Sequence, residues 1–171
     1  MQIQGEGFLL RRWILEDIPA LAQQANNPNV VAFLRDRFPH PYTEADARAF
    51  ISANLGREDG WNFAIIVEGQ PAGGIGLIFE QDVHRFSAEV GYWLGEAYWG
   101  QGLLSKAVRS LVDYAFEHTD LLRIHAAVFS PNKASMRVLE KNGFQFEGIL
   151  RHSVVKNGVV MDQHIYALLK P

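Results

Sequence analysis

The clearest pattern in the chain is an amphipathic stripe over residues 100–118. Apolar residues recur there at helical spacing, and charged residues fall on the other side of the helix. The apolar positions are Leu104, Ala107, Val108, Leu111, Ala115 and Phe116, and the charged ones are Lys106, Arg109, Asp113 and Glu117. This spacing predicts a helix that packs one face against a core.

Shorter helices are predicted from capping residues. Asp17, followed by Pro19 and Leu21, predicts the N-cap of a helix that ends near residues 26–28. Residues 43–46 (TEAD) resemble a capping box before apolar residues at helical spacing. Residues 132–142 predict a third short helix, with Asn132 as its N-cap and Gly143 behind its last turn.

Apolar and β-branched runs predict the strands of one sheet. These runs are residues 7–13, 61–67, 72–79, 86–94, 122–129, 144–150, 152–156 and 159–169. Residues 68–71 (EGQP) and Asn157-Gly158 predict hairpin turns. Two central helices each separate strands, so part of the sheet is expected to be parallel. The prediction is a mixed α/β (α+β) fold with about six or seven strands and flanking helices.

Composition narrows the possible functions. The chain has 171 residues, no cysteine, six histidines and a formal net charge of −3. This length favours a single domain over residues 1–171, and the missing cysteine excludes disulfides, thiolate zinc sites and a cysteine nucleophile. The charge does not suggest a nucleic-acid partner, and the histidine spacing predicts no metal site. Without a signal peptide or a run of about 18 apolar residues, we expect a cytoplasmic protein with no membrane partner.

A glycine-containing turn, Tyr98-Trp99-Gly100-Gln101-Gly102-Leu103-Leu104, precedes the longest predicted helix. Its two glycines let the backbone approach a ligand closely, and the first N–H groups of the helix lack intrahelical partners. A pyrophosphate fits such a helix N-terminus, although an isolated Gly-x-Gly is more often an entry turn that only packs helix against strand. No Gly-Lys-Ser/Thr or third glycine follows, which disfavours an ATP- or dinucleotide-binding protein.

Four segments in this order resemble the GNAT acetyltransferases, and within them the branch of the ribosomal-protein N-terminal (RimJ/RimL-type) acetyltransferases. They are residues 88–94 (AEVGYWL), 98–102 (YWGQG), 132–135 (NKAS) and 139–144 (LEKNGF). The resemblance extends over essentially the whole chain. It implies the GNAT fold, with a central sheet that is splayed in the middle. It also implies transfer of the acetyl group of acetyl-CoA to a primary amine.

The resemblance implies where acetyl-CoA binds. In this family the glycine turn holds the pyrophosphate through backbone amides. The pantetheine arm lies between two splayed strands, which correspond here to residues 86–94 and 122–129. The implied binding residues are Tyr92, Trp93, Leu94, Trp99, Gly100, Gln101, Gly102, Leu103, Leu104 and Asn132. At Leu104 the family pattern has Gly or Ala, and a larger side chain there can crowd the phosphate loop. Positive side chains near the helix starts can meet the adenosine phosphates or simply be solvated: Lys106, Arg109, Lys133 and Arg137.

Two catalytic residues are implied in the same way. Glu89 lies on the strand where related enzymes often carry a glutamate, and is a candidate base acting directly or through water. Its alternative is a solvated residue or the partner of a nearby arginine. Ser135 is the candidate donor to the leaving thiolate or the tetrahedral oxyanion, because it fills this role in the branch that the chain resembles. Leu139 stands where many GNAT enzymes use a tyrosine. Its alternative is an ordinary first-turn residue. Asn132 can cap the helix, bind the pantetheine arm, or do both.

The resemblance supports the reaction more firmly than the acceptor. Without a cysteine, direct attack of the amine in a ternary complex is the simplest mechanism. A protein or peptide N-terminus follows from the resemblance. A polyamine, an aminoglycoside or another small amine stays open, as does a non-catalytic CoA-binding module. Residues 33–42 (FLRDRFPHPY) lie where related enzymes shape the acceptor pocket. The resemblance also allows a homodimer.

Overall fold

The computed structural model describes residues 1–57 and 59–171, which build one sheet with helices on both faces. The strands are β1 (Gln2–Gly5), β2 (Phe8–Arg12), β3 (Gly60–Val67), β4 (Gln70–Phe79), β5 (Ser87–Leu94), β6 (Arg123–Phe129), β7 (Gln145–Lys156) and β8 (Val159–Leu169). The helices are α1 (Ile18–Ala25), α2 (Pro28–Val31), α3 (Glu44–Asn54), α4 (Leu103–His118) and α5 (Lys133–Lys141).

The strand order is β1-β2-β3-β4-β5-β6-β8-β7, and the neighbours β5 and β6 are parallel. This confirms the mixed sheet, because the crossover through α4 returns the chain in the same direction. The helix α5 does not create a second parallel pair, since β8 lies between β6 and β7. The sheet has eight strands rather than six or seven. The predicted runs 144–150 and 152–156 form the single strand β7. The added strand is β1, which a tight turn after Gly5 folds back onto β2.

Each face of the sheet carries its own core. On β3, Phe63 and Ile65 point to one core, and Ala64 and Ile66 point to the other, as strand alternation requires. The first core contains α4 and α5, and we call that side the α4 face. The second contains α1 and α3, and we call it the α1 face.

The predicted stripe of α4 is confirmed. Its buried residues are Leu103, Ala107, Val108, Leu111, Val112, Ala115 and Phe116. The charged positions of the helix are exposed. This long helix is therefore fixed by burial of one face, and its N-terminus is fixed relative to the sheet.

Thr43 and Asp17, two of the three predicted N-caps, differ in what their side chains bind. Thr43 and Asp46 form the predicted capping box, in which Asp46 N donates to Thr43 Oγ1 at 3.2 Å and Thr43 N donates to Asp46 Oδ2 at 2.8 Å. Asp17 is the N-cap of α1, as predicted, but its side chain makes no capping hydrogen bond to that helix. Its buried carboxylate instead accepts two hydrogen bonds from Arg11, at 2.7 and 2.8 Å, and one from the backbone N–H of Ile14, at 3.0 Å.

Candidate active site

The strands β5 and β6 are paired over three residues and then separate. The pairs are Ser87 with Arg123, Ala88 with Ile124, and Glu89 with His125. Beyond them, residues 90–94 pair with β4 and residues 126–129 pair with β8. We call the opening between these two stretches the fork. It confirms the splayed sheet, and backbone groups along its edges face a space that a ligand can enter.

The fork connects the two faces of the sheet. Ala88, Val90 and Leu94 belong to the core of the α4 face. Trp93 packs against the core of the α1 face, so Glu89, four residues earlier on the strand, shares that side. A molecule lying in the fork can therefore be reached from both faces.

The glycine turn lies between the end of β5 and the N-terminus of α4, at one end of the fork. Gly100 and Gly102 have φ of 76° and 71°, both left-handed conformations that favour glycine. A Cβ built on either residue would have no atom within 4 Å, which leaves an open cradle. Gly102 is the N-cap of α4, and no side chain of the described residues caps that end. The first amides of this 16-residue helix can therefore donate to an anion.

Other residues of this turn support it structurally. The indole Nε1 of Trp99 donates to the carbonyl oxygen of Leu94 at 2.8 Å, which ties the turn to the end of β5. Leu103 is buried, and the half-buried Leu104 packs against the core of the α4 face. The Leu104 side chain therefore points into the protein and does not crowd the glycine turn. The side-chain Nε2 of Gln101 donates to the carbonyl oxygen of Ala97 at 3.5 Å.

Tyr92 and Ser135 meet across the fork. The Tyr92 hydroxyl lies 2.9 Å from Ser135 Oγ and donates to the Ser135 carbonyl oxygen at 3.3 Å. Asn132 accepts a hydrogen bond from Ser135 N at 3.1 Å, which confirms it as the N-cap of α5. Burial raises the pKa of Tyr92, and the hydrogen bond to Ser135 opposes this rise only in part. The phenol is therefore protonated at neutral pH and can donate a hydrogen bond.

Glu89 lies on the opposite face in contact with an arginine. Its carboxylate forms an ion pair with Arg35, which belongs to the 33–42 segment between α2 and α3. The partner of a nearby arginine was one of the two interpretations open for Glu89. Phe38 anchors the same segment, with its ring 5.4 Å from that of Trp93 on β5. Residues far apart in sequence thus surround the α1-face entrance of the fork.

A cavity of about 280 Å³ lies beside this entrance. Phe129 is two strand alternations beyond His125, so it is on the same face as Glu89. Other residues of the lining come from the 33–42 segment, β7 and β8: Arg35, Asp36, Val154, Lys156 and Gln163. Lys156 is buried, and its Nζ lies 2.8 Å from Asp36 Oδ1. The cavity approaches the lower end of the range for small-ligand sites.

Several residues at this entrance could not be named from the sequence. Arg35 and Asp36 belong to the segment expected to shape the acceptor pocket, but their partners Glu89 and Lys156 lie 54 and 120 residues away. His125 was considered only as a metal ligand, and it contacts Glu80 at 2.8 Å. Strand alternation places His125 on the same side as Glu89, but only the sheet order makes these strands neighbours.

Two of the four positive side chains near the helix starts form ion pairs with carboxylates. Lys106 pairs with Glu6 at 2.9 Å, and Arg109 pairs with Asp113 at 3.7 Å. In residues 1–57 and 59–171, no group of three or more His, Cys, Asp or Glu side chains could hold a metal ion. Within the same ranges, every helix is too short or too polar to cross a bilayer.

Comparison with known proteins gives consistent matches. Residues 8–145 match the family model of the acetyltransferase (GNAT) domain. Uncharacterized N-acetyltransferase p20 of Bacillus licheniformis is 36% identical over 172 residues, covering 96% of this chain and 94% of p20. Probable N-acetyltransferase YjcK of Bacillus subtilis is 49% identical over 85 residues, which is 50% of this chain and 47% of YjcK.

A solved structure matches the fold over nearly its whole length. It is described as RimL, a ribosomal L7/L12 alpha-N-protein acetyltransferase, in complex with coenzyme A. The TM-score is 0.90, with 99% of this chain and 98% of that chain covered, at 24% sequence identity. At this identity the similarity concerns the fold.

Proposed function

The chain belongs to the GNAT family of acetyl-CoA-dependent N-acetyltransferases, and we propose that its acceptor is the N-terminal amine of a protein or peptide. The amine attacks the thioester directly in a ternary complex. The observation that carries this proposal is the fork, which gives the thioester and the amine separate approaches from the two faces of the sheet. Alignment of the two reactants then supplies much of the rate enhancement.

In this proposal the acetyl-CoA site runs from the glycine turn into the fork. The amides of Gln101, Gly102, Leu103 and Leu104 hold the pyrophosphate at the N-terminus of α4. The open cradle at Gly100 and Gly102 supports this assignment. The pantetheine arm lies along the edge formed by Tyr92, Trp93 and Leu94. Asn132 and Trp99 border the arm, one as the cap of α5 and the other as the support of the turn.

Ser135 is the proposed proton donor to the leaving group. When the C–S bond breaks, the thiolate of CoA takes a proton from Ser135 Oγ. Tyr92 lies 2.9 Å from that oxygen, and its protonated phenol holds Ser135 in place through a hydrogen bond. The nitrogen of the new amide loses a proton to water, and Ser135 regains one through Tyr92 or water, so the overall reaction leaves an amide and a free thiol.

Glu89 is the proposed base on the acceptor side. An acceptor ammonium must lose a proton before the nitrogen can attack, and the usual pKa of a chain-terminal amine is about 8. Glu89 stands where β5 and β6 separate, on the face that borders the cavity. Arg35 contacts one carboxylate oxygen, Oε1, and the second oxygen accepts the proton directly or through water.

The charges around the cavity favour a peptide over a polyamine. A polyamine or an aminoglycoside is polycationic and needs several carboxylates that can pair with it. Here Asp36 is paired with Lys156, and Glu89 is paired with Arg35. The cavity also has apolar surface from Phe129 and Val154, which suits an uncharged peptide side chain.

Two relatives carry different acceptors in their names. The ribosomal-protein-serine acetyltransferase of Escherichia coli is 35% identical over 81 residues, 47% of this chain and 45% of that protein. The spermidine N(1)-acetyltransferase of the same organism is 27% identical over 144 residues, 84% of this chain and 75% of that protein. The pairing of the cavity carboxylates leads us to the first of these two acceptor classes.

Mass spectrometry of acetyl transfer tests the proposal. The purified chain is incubated with acetyl-CoA and a panel of peptides with serine, alanine or methionine at the N-terminus, spermidine and an aminoglycoside. A serine peptide with a blocked N-terminus and an internal lysine is the control for lysine acetylation. We expect one acetyl group on the N-terminal nitrogen of free peptides. Acetylation of spermidine alone would overturn the peptide proposal, and binding of acetyl-CoA without any product would favour the non-catalytic module.

A further inference from the structure

Three strands place polar side chains together at the closed end of the fork. Glu89 on β5 and His125 on β6 are the last register pair before these strands separate. Glu80 follows the last residue of β4, and its backbone N–H donates to the Ser87 carbonyl of β5 at 3.0 Å. Glu80 Oε1 and His125 Nε2 lie 2.8 Å apart, so this contact passes over β5 beside Glu89.

We propose that His125, oriented by Glu80, is the residue to which Glu89 passes the proton of the acceptor ammonium. This inference rests on the proposed acetyl transfer. It adds a proton path that begins at the fork and ends at solvent. His125 acts through Glu89 and is therefore a positioning residue in the deprotonation of the amine.

The contact with Glu80 sets the tautomer of His125. A carboxylate can only accept, so His125 Nε2 carries the hydrogen and donates it to Glu80. The other ring nitrogen, Nδ1, then has the lone pair that takes a proton. A carboxylate that holds the N–H of an imidazole stabilises the imidazolium once it forms.

The charged groups that face His125 are defined. Glu80 comes directly after β4, Glu89 lies on β5, and Arg123 lies two residues earlier than His125 on β6. Glu147 of β7 is bound to Arg123, with its Oε1 2.6 Å from Arg123 Nη1. The register partner of His125 on β8 is Ala167, which carries no charge. Arg35, from the 33–42 segment, is paired with Glu89 on the same face, and Glu80 is the carboxylate that contacts the ring of His125.

Atoms and charges balance along the path. The acceptor ammonium gives one proton to Glu89, which gives it to Nδ1 of His125. The neutral amine forms the C–N bond to the acetyl carbon as the C–S bond to CoA breaks. The nitrogen's second proton goes to water and makes up for the one that Ser135 gives to the thiolate, and the imidazolium returns its proton to water. His125 and Glu80 are partly exposed, with 21% and 34% of their side-chain surfaces accessible, so water reaches the far end of the path.

The pH profile of kcat/KM for a peptide with a free N-terminal serine tests this proposal. We compare the wild-type enzyme with His125→Gln, Glu80→Gln and Glu89→Gln. His84→Gln is the matched control, because His84 is exposed in the loop between β4 and β5. In His125→Gln we expect kcat/KM at pH 7 to fall by roughly 10²-fold, as for loss of a general base. The defect should shrink above pH ~9, where the amine of about pKa 8 is already neutral.

Further readouts separate this role from a structural one. The KM for acetyl-CoA and the thermal midpoint should stay near those of wild type in His125→Gln. Glu80→Gln should move the acid limb of the profile to higher pH, as His125→Gln does. This second variant keeps the proposal testable if His125→Gln does not fold. A wild-type pH profile in both His125→Gln and Glu80→Gln would overturn the proton path. Glu89→Gln tests separately whether Glu89 is the base. Absence of acetyl transfer by the wild-type enzyme would instead remove the proposed function, and the path with it.

Discussion

The side chain of Tyr92 reaches from β5 to the first turn of α5, where its hydroxyl lies 2.9 Å from the hydroxyl oxygen of Ser135. This contact links the two elements that border the fork on the α4 face. Because the phenol is buried and protonated, it has a proton to donate to Ser135. Ser135 can give its proton toward the fork and recover one through Tyr92 or water.

Removal of the Ser135 hydroxyl should slow the chemical step. We expect Ser135→Ala to lower kcat by roughly 10²-fold with little change in the KM for acetyl-CoA, because the lost donor acts on the leaving thiolate. Tyr92→Phe should have a smaller effect, and the double variant should be no slower than Ser135→Ala alone. Steady-state kinetics checks this. Ser52→Ala, an exposed change on α3, is the control. Additive losses in the double variant would contradict a shared role.

Substitution of Gly102 should weaken CoA binding. A Cβ at this left-handed residue costs about 1 kcal/mol of backbone strain and enters the phosphate cradle. Gly69→Ala carries the same strain, at φ of 81°, in the turn between β3 and β4. Both variants should lose similar stability, but titration calorimetry should show a roughly tenfold weaker Kd for CoA only in Gly102→Ala. Equal affinities would place the phosphates elsewhere.

The contact between Asp36 and Lys156 should stabilise the 33–42 segment. Asp36→Asn leaves the ammonium of a side chain that is only 10% exposed without its charged partner. We expect the free energy of unfolding to fall by roughly 1–2 kcal/mol in urea titrations. Lys156→Met keeps the apolar stem and should cost less. Asp113→Asn, in an exposed pair with Arg109, is the control and should change stability by less than about 0.5 kcal/mol.

The capping box of α3 should make stability depend on acidity. Hydrogen bonds from the Thr43 hydroxyl and backbone lower the pKa of Asp46. The native carboxyl therefore binds fewer protons than the unfolded one, and its contribution is present above about pH 3.9. It is lost as the pH falls through the lower native pKa. In Thr43→Ala, NMR titration should show the pKa of Asp46 rising toward its usual range. Thr119→Ala should leave the Asp46 titration as in wild type.

Local features of the fold were predictable because they depend on neighbouring residues. The stripe of α4, the Thr43 capping box and the Asn132 cap follow from spacing along one element. Asp17 is the predicted N-cap of α1, but the pairing of its carboxylate with Arg11 was not predicted, because Arg11 lies on the preceding strand. A short strand next to Gly5 gives little periodicity, so β1 was not predicted.

The candidate site was predictable only in its backbone part. The glycine turn reads directly from the sequence, whereas the contacts of Ser135, Glu89 and His125 join residues 43 to 54 positions apart. Such pairs depend on the strand order, which local patterns do not determine. The roles of Glu89 and Ser135, the single domain, the cytoplasmic location and the homodimer stay predictions.

Arg35 and Asp36 are neighbours in the chain, yet they are tied to different parts of the sheet. Arg35 binds Glu89 on β5, at the end of the β1–β5 part, and Asp36 binds Lys156 on β7, in the part formed by β6, β8 and β7. Only three register pairs join these two parts directly. We expect a ligand that widens the fork to move the Arg35–Glu89 and Asp36–Lys156 pairs apart. Ligand binding in the fork is then energetically coupled to the cavity beside the 33–42 segment. Such coupling is reciprocal. An acceptor that tightens this segment changes the affinity for acetyl-CoA by the same factor by which acetyl-CoA changes the affinity for the acceptor.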